Sequence, residues 1–441
     1  MMELHAEFRK NMQELLGNDL PAFLRALDAP PALAMRVNSL RAAAMHAAEE
    51  YMDQPVPWAK DAFYLRPGAR PGAAIAHAAG AYYLQEASAM APAAVLDVQP
   101  GERVLDLCAA PGGKSGQLAA SLKGQGILVC NEPEPGRAKI LAGNLERLGV
   151  TSAVVTNAYP DAISRAWPGF FDAVLVDAPC SGEGMFRRDP DARGEWTPSA
   201  PEGCARRQRE ILAQAAKLVR PGGRLVYSTC TYNPLENEGS ALRFLQEHPD
   251  FSPVEFALPG VGASENGMLR LLPHLIRGDG QFIAKFQRSG NFRPSFQAPS
   301  RAKLPEADAF LQEILLSTDF LRHLPLQQMG QWIYAVPAEL PAAKGVRVVS
   351  PGLCLLRAQK NRFEPEHALA MALSPDCARR KAALHPEQAR QYLSGEAIPF
   401  DGERGWTLVT VSGMPLGWGK SVDGILKNHL PKGLRRSMHD L

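Results

Sequence analysis

The apolar positions of this chain change rhythm twice. Over the first 90 residues they recur mostly at helical spacing, around 3–16 and 41–53, in an alanine- and proline-rich stretch interrupted by Met35-Arg36-Val37-Asn38. From about 100 to 287, short and wholly apolar runs alternate with longer amphipathic ones. The runs at 104–107, 127–130, 153–156, 173–176 and 224–227 read as buried parallel strands. The patterns at 115–122, 135–148, 202–219 and 235–247 read as helices between them. Such alternation specifies a parallel sheet covered on both faces, an α/β fold. Residues 289–305 hold proline, serine and basic residues without a period, the mark of a linker. The remainder, 306–441, opens with a helical pattern and closes in β-like segments punctuated by glycine. The expected organisation is a small α+β unit over 1–90, an α/β domain over 91–288, the linker, and a further α+β region over 306–441.

Composition narrows the class. A chain of 441 residues exceeds one ordinary domain, and 46% hydrophobic with 21% charged residues is a globular balance. The net charge is only +2, so any nucleic-acid contact must come from local basic surface, such as 420–441, with five Lys/Arg against two Asp. Seven scattered cysteines, none at C-x-x-C spacing, fit a reducing compartment and argue against a structural metal site. The amino terminus is amphipathic, and nothing approaches the run of about 20 apolar residues that spans a bilayer. A cytoplasmic, monomeric protein is expected.

The first strand of the α/β region runs into Cys108-Ala109-Ala110-Pro111-Gly112-Gly113-Lys114-Ser115, followed by a helix. Small residues there let backbone approach a ligand, and the helix start offers free N–H groups. Cys108 stands where a nucleotide phosphate loop has glycine, and G-x-G-x-x-G is absent. The second strand ends at Glu132, a carboxylate placed to accept two ribose hydroxyls; capping the next helix is the plainer alternative. Asn157, at the end of the third strand, is a candidate adenine contact or a turn former.

The fourth strand runs into Asp177-Ala178-Pro179-Cys180-Ser181-Gly182-Glu183-Gly184, and the fifth into Ser228-Thr229-Cys230-Thr231-Tyr232-Asn233-Pro234. Ligands of open α/β sheets sit beyond the carboxyl ends of the strands, so both thiols and Asp177 face the cofactor crevice. Two thiols and an acid beside a sulfonium methyl donor suit methylation of cytosine carbon 5. A thiolate adds to carbon 6, a group near ring nitrogen 3 stabilises the charge, and a second group assists elimination. These residues alone leave open which thiol attacks. Asn233-Pro234-Leu235-Glu236 reads as a helix cap with its reciprocal acid, and Arg187, Arg188 and Arg193 as phosphate contacts or solvated surface.

CAAPGGKS, DAPCSGEG and STCTYNPLENE together resemble the signature motifs of the Nop/Sun family of RNA cytosine-5 methyltransferases, with supporting matches at Arg36-Val37-Asn38, at 82–90 and at 280–284. The resemblance spans about 30–287. The tail (NRFEPEHALAMAL, GWGK, LKNHLPKGLR) is similar to the carboxy-terminal region of the bacterial ribosomal small-subunit methyltransferase F group, a PUA-like RNA-binding module. The resemblance implies a Rossmann-like class I methyltransferase domain with a mostly parallel seven-stranded sheet. It implies S-adenosylmethionine bound by 108–114, Glu132 and Asp177, with Cys230 as nucleophile and Cys180 aiding release. The implied partner is RNA, the 16S ribosomal RNA of the small subunit, with RNA-binding regions at 1–90 and 306–441. Deleting 306–441 is then expected to weaken RNA binding more than cofactor binding. Where relatives carry an acid after the third strand, this chain has Tyr159. A transfer RNA methyltransferase and an inactive RNA-binding assembly factor are the alternatives.

Overall fold

The computed structural model describes residues 4–295, 303–322, 324–342, 344–360 and 362–437; residues 296–302 of the expected linker and 438–441 of the basic tail lie outside them. Two helices, Ala6–Leu16 and Leu20–Asp28, precede an antiparallel sheet of β1 (Ala34–Val37), β2 (Met52–Pro55), β3 (Ala62–Leu65) and β4 (Tyr82–Leu84), ordered β2-β3-β1-β4. The helix expected over 41–53 is confined to Ala44–Ala48 and a single 3-10 turn. Pairing of Met52 with Leu65 draws the chain into β2 instead.

The parallel core of the protein is β5 (Arg103–Asp106), β6 (Ile127–Asn131), β7 (Ala153–Asn157), β8 (Phe171–Asp177) and β9 (Val219–Thr229), ordered β9-β8-β5-β6-β7. Successive residues of each strand enter opposite cores: Val104, Leu128, Val155, Leu175 and Val226 pack on one face. Leu105, Val129, Val154, Val174 and Leu225 pack on the other. This explains runs with no polar alternation, because both faces are covered. Each such side chain contributes about 1.5–3 kcal/mol of burial.

Antiparallel strands complete the sheet. Gln281–Arg288 pairs with β9 and is itself flanked by Phe251–Pro253 and Met268–Leu271. At the opposite edge Arg347–Ser350, from the carboxy-terminal region, pairs with β7. Among the described residues the sheet therefore has nine strands. Seven lie on one path from Phe251–Pro253 to β7, and the two others extend it.

The carboxy-terminal region holds a four-stranded antiparallel sheet (Leu326–Met329, Trp332–Ala335, Leu353–Gln359, Arg362–Pro365) and a five-stranded sheet built on Gly405–Val411 and Met414–Val422. The second does not stand alone: Leu384, Val409, Met414 and Leu426 share a core with Met35, Val37 and Tyr82 of the first sheet. Arg41 adds a tether, donating to Met371 O at 2.6 Å and to Arg147 O at 3.2 Å. Arg36 and Asn38 dock the amino-terminal sheet on the parallel domain. Arg36 donates to Gly113 O at 3.2 Å, and Asn38 to Gly80 O and Leu148 O at 2.8 Å each. No helix among the described residues is long and apolar enough to cross a membrane.

Candidate active site

The turns after β8 and β9 bring Cys180 and Cys230 together, with 3.3 Å between their Sγ atoms. The loops are clasped by reciprocal bonds. Gly184 N donates to Cys230 O at 2.7 Å, and Tyr232 N donates to Glu183 Oε2 at 3.0 Å. A Cβ on Gly184 would stand 2.4 Å from Cys230 O, so only glycine admits this approach. In the opposite sense Glu236, beyond Cys230, accepts from Ser181 N at 3.0 Å and from Ser181 Oγ. Glu236 is thus no helix cap. The helix starts at Glu238, and the turn before it aims the carboxylate inward.

Asp177 ends β8 and accepts from Lys114 Nζ at 2.7 Å, Ser228 Oγ at 2.7 Å and Gln281 Nε2 at 3.1 Å. Burial opposes the charge of Lys114, but Asp177 and Asp106 outweigh it and raise its pKa. Asp106, at the end of β5, accepts from Ser115 Oγ at 2.7 Å and has its other oxygen buried without a partner. Burial pushes its carboxyl up to about 7. The Cys180 thiol is raised well above its usual value, first by its contact with Cys230 and then by burial. Two sulfurs this close cannot both ionise, so one holds the proton and hydrogen-bonds the other.

Asp177, Cys180 and Cys230 open on a cleft of 1050 Å³ along the strand ends. One end is lined by Cys108, Ala110, Glu132, Pro133, Tyr159 and Asp161, the other by Cys180, Gly182, Met185, Arg207 and Cys230. Of the loop 108–114, Cys108 and Ala110 reach the cleft wall. Ala109 N bonds Asn131 O at 2.9 Å, and Pro111 O accepts from Asn144 at 2.9 Å. Gly112 turns the chain at φ 114°, and Gly113 packs so closely that a Cβ would meet Tyr83 and Gln85 at 3.0 Å. Glu132 is buried with its carboxylate in the wall, accepting from Glu134 N at 3.0 Å, with Arg137 at 3.4 Å. Capping of the helix Pro135–Arg147 falls to Glu134 instead. Asn157 lies off the cleft: its Nδ2 donates to Glu132 O and Pro133 O at 2.9 Å each, so it braces the turn that carries Glu132. Tyr159, 73% exposed, stands at the cleft in its place.

The three arginines after Cys180 are engaged within the protein instead of lying as loose surface. Arg187 donates to Ala29 O and Pro30 O, Arg193 to Leu27 O and Phe186 O, and Arg188 to Asp279. Arg187 and Arg193 fasten the first two helices behind the cysteine loops, where Phe8 and Phe23 meet Phe186 and Tyr232 at ring distances of 5.1 and 5.0 Å. Arg207, Glu210, Ile211 and Gln214, which line the cleft from one face of the helix Ala200–Leu218, drew no attention in the sequence. Their i, i+3, i+4, i+7 spacing was the available signal.

Comparison with known proteins adds the family. The profile described as "16S rRNA methyltransferase RsmB/F" matches residues 93–287, and that of the RsmF amino-terminal domain matches 4–87. Those of the first carboxy-terminal domain and the PUA domain of RsmF match 309–373 and 379–436. The ribosomal RNA small subunit methyltransferase F of Escherichia coli K12 is 32% identical over 97% of this chain and 96% of its own. That of Aliivibrio fischeri is 33% identical over 97% of both. The chain belongs to the ribosomal RNA small subunit methyltransferase F family.

Among solved structures, a methyltransferase homolog from Pyrococcus horikoshii is 31% identical, with TM-score 0.56, over 64% of this chain and 94% of that one. NSun6 from Pyrococcus horikoshii, 21% identical with TM-score 0.58 over 65% and 99%, shares the fold. The methyl donor of this methyltransferase F family member is S-adenosylmethionine. The cleft suits it: a buried carboxylate at the end of β6 can accept vicinal hydroxyls, Cys108 and Ala110 present backbone, and Asp106 holds an unmatched oxygen nearby.

Proposed function

We propose that the protein methylates carbon 5 of cytidine in the small-subunit ribosomal RNA through a covalent bond between Cys230 and the base. The observation that carries this reading is the sulfur pair: Cys180 and Cys230, 3.3 Å apart, open on one cleft beside Asp177. The donor supplies an electrophilic methyl group, and Cys108, Ala110, Glu132 and Asp177 would hold it.

Cys230, as thiolate, forms a bond to carbon 6, and the electron pair of the 5,6 double bond moves to carbon 5. Asp177, already accepting from three donors, is an acceptor for the ring amino group. Positive charge toward nitrogen 3 comes from Lys114. Once carbon 5 carries the methyl group, its proton leaves to a base, the double bond returns, and the sulfur of Cys230 departs as thiolate. Cys180 suits the base role by a change of circumstances. While Cys230 is free, contact with it keeps the Cys180 proton in place. Once Cys230 is a neutral thioether, that first cause is gone and Cys180 ionises more readily. The amino-terminal unit and the carboxy-terminal region supply the RNA-binding surface around this cleft.

The test uses small-subunit ribosomal RNA from cells lacking the protein, with labelled S-adenosylmethionine. Cys230→Ala loses methyl transfer by about 10⁴-fold or more. Cys180→Ala leaves an RNA–protein adduct on a denaturing gel, and bisulfite sequencing maps the methylated cytidine. Adduct in the Cys230 variant and none in the Cys180 variant would reverse the assignment; methyl groups elsewhere than carbon 5 would end it.

A further inference from the structure

Glu236 is a buried acid for which the reaction has no use, yet it ties the segment after Cys230 to the loop that carries Cys180. It is 0% exposed. Its Oε2 accepts from Ser181 N at 3.0 Å and from Gln208 Nε2 at 2.8 Å, and its Oε1 accepts from Ser181 Oγ. Ser181 Oγ is in turn 2.8 Å from Thr231 Oγ1. Ser181 follows Cys180 and Thr231 follows Cys230, so the carboxylate anchors the residue after Cys180 directly and reaches the residue after Cys230 only through the Ser181 hydroxyl. Gln208 extends the anchor, donating also to Pro179 O at 3.1 Å, the residue before Cys180. The backbone that carries the carboxylate is held as well, because Tyr227 OH donates to the carbonyl of Glu236 at 2.6 Å from within β9.

The two cysteines depend on this anchor unequally. Cys230 directly follows β9, and its carbonyl is held by Gly184 N. Cys180 sits between Ala178 N, bonded to Ser228 O, and Gly184 N, and Pro179 and Ser181 on either side of it are held by Gln208 and Glu236. Loosening Glu236 therefore moves Cys180 more than Cys230. We propose that Glu236 is a positioning residue that, through Ser181, holds Cys180 at the site of elimination and so sets product release rather than addition. The proposal rests on the two-thiol reading above. Burial pushes the Glu236 carboxyl up to about 7 against its hydrogen bonds from Ser181 and Gln208, which fits a group committed to those partners and not to solvent.

The test compares wild type, Glu236→Gln, Ser181→Ala and the double variant on the same ribosomal RNA with labelled donor. Glutamine keeps the shape but gives up one acceptor oxygen, and alanine removes the hydroxyl arm alone. Turnover falls about 10- to 100-fold in each, while KM for RNA and donor stays within about 2-fold. Adduct accumulates on denaturing gels, as with Cys180→Ala, and the double variant is no slower than the worse single one, because both cut one linkage. Should Glu236→Gln not fold, Ser181→Ala carries the same expectation. Wild-type turnover in these variants, or slow turnover with no adduct, would overturn the role of Glu236. A wild type that never forms 5-methylcytidine would instead overturn the two-thiol reading itself.

Discussion

Lys114 joins the donor loop to the acid at the end of β8, with 12% of its side chain exposed. Lys114→Met would leave Asp177 with Ser228 and Gln281 but no counter-charge. The expected result is a loss of about 2 kcal/mol in stability and a fall in turnover that exceeds any loss of RNA affinity. Calorimetry and steady-state kinetics check this; a KM effect alone would mean that Lys114 only binds. Single residues were legible in the sequence where their position along a strand decided their direction, as for Asp177, Cys180 and Cys230. They were illegible where a neighbour distant in sequence decided it. Glu236 turns from the expected cap to Ser181, 55 positions earlier, and Arg193 reaches back to Leu27. Asn157 has the right strand end but spends its amide on the turn of Glu132, leaving Tyr159 at the cleft.

At the scale of elements, the loop after β8 is shaped by one close approach. Gly184→Ala would press a methyl group into Cys230 O. About 1–3 kcal/mol of strain is expected, with the cysteine loops parting and methyl transfer falling further than stability alone explains. A variant with full activity would show that the clasp tolerates separation. The five parallel strands were readable because burial on both faces leaves runs with no polar interruption. Arg347–Ser350 was not readable as part of that sheet. It is short, half-buried and polar at both ends, and its partner β7 lies some 190 residues earlier. Deletion of 306–441, expected to weaken RNA binding more than cofactor binding, would also uncover this β7 edge, so loss of solubility is predicted as well, seen by light scattering.

Across the whole molecule, the helix Pro135–Arg147 meets the carboxy-terminal region at two acids. Burial and the nearby Glu366 push Glu146 up to about 7. Its folded pKa lies above its unfolded one. Its favourable contribution is therefore complete below pH about 4.5 and is lost as pH rises through 7, about 3 kcal/mol in all. Glu146→Gln should flatten thermal stability between pH 5 and 8, and an unchanged slope would place the pH dependence elsewhere. The shared core of the first and last sheets has another consequence, for the newborn chain. Met35, Val37 and Tyr82 emerge from the ribosome some 300 residues ahead of residues that pack against them, Leu384 to Leu426. The nascent protein thus carries this apolar face uncovered while the intervening residues are made, and only the later segment shields it.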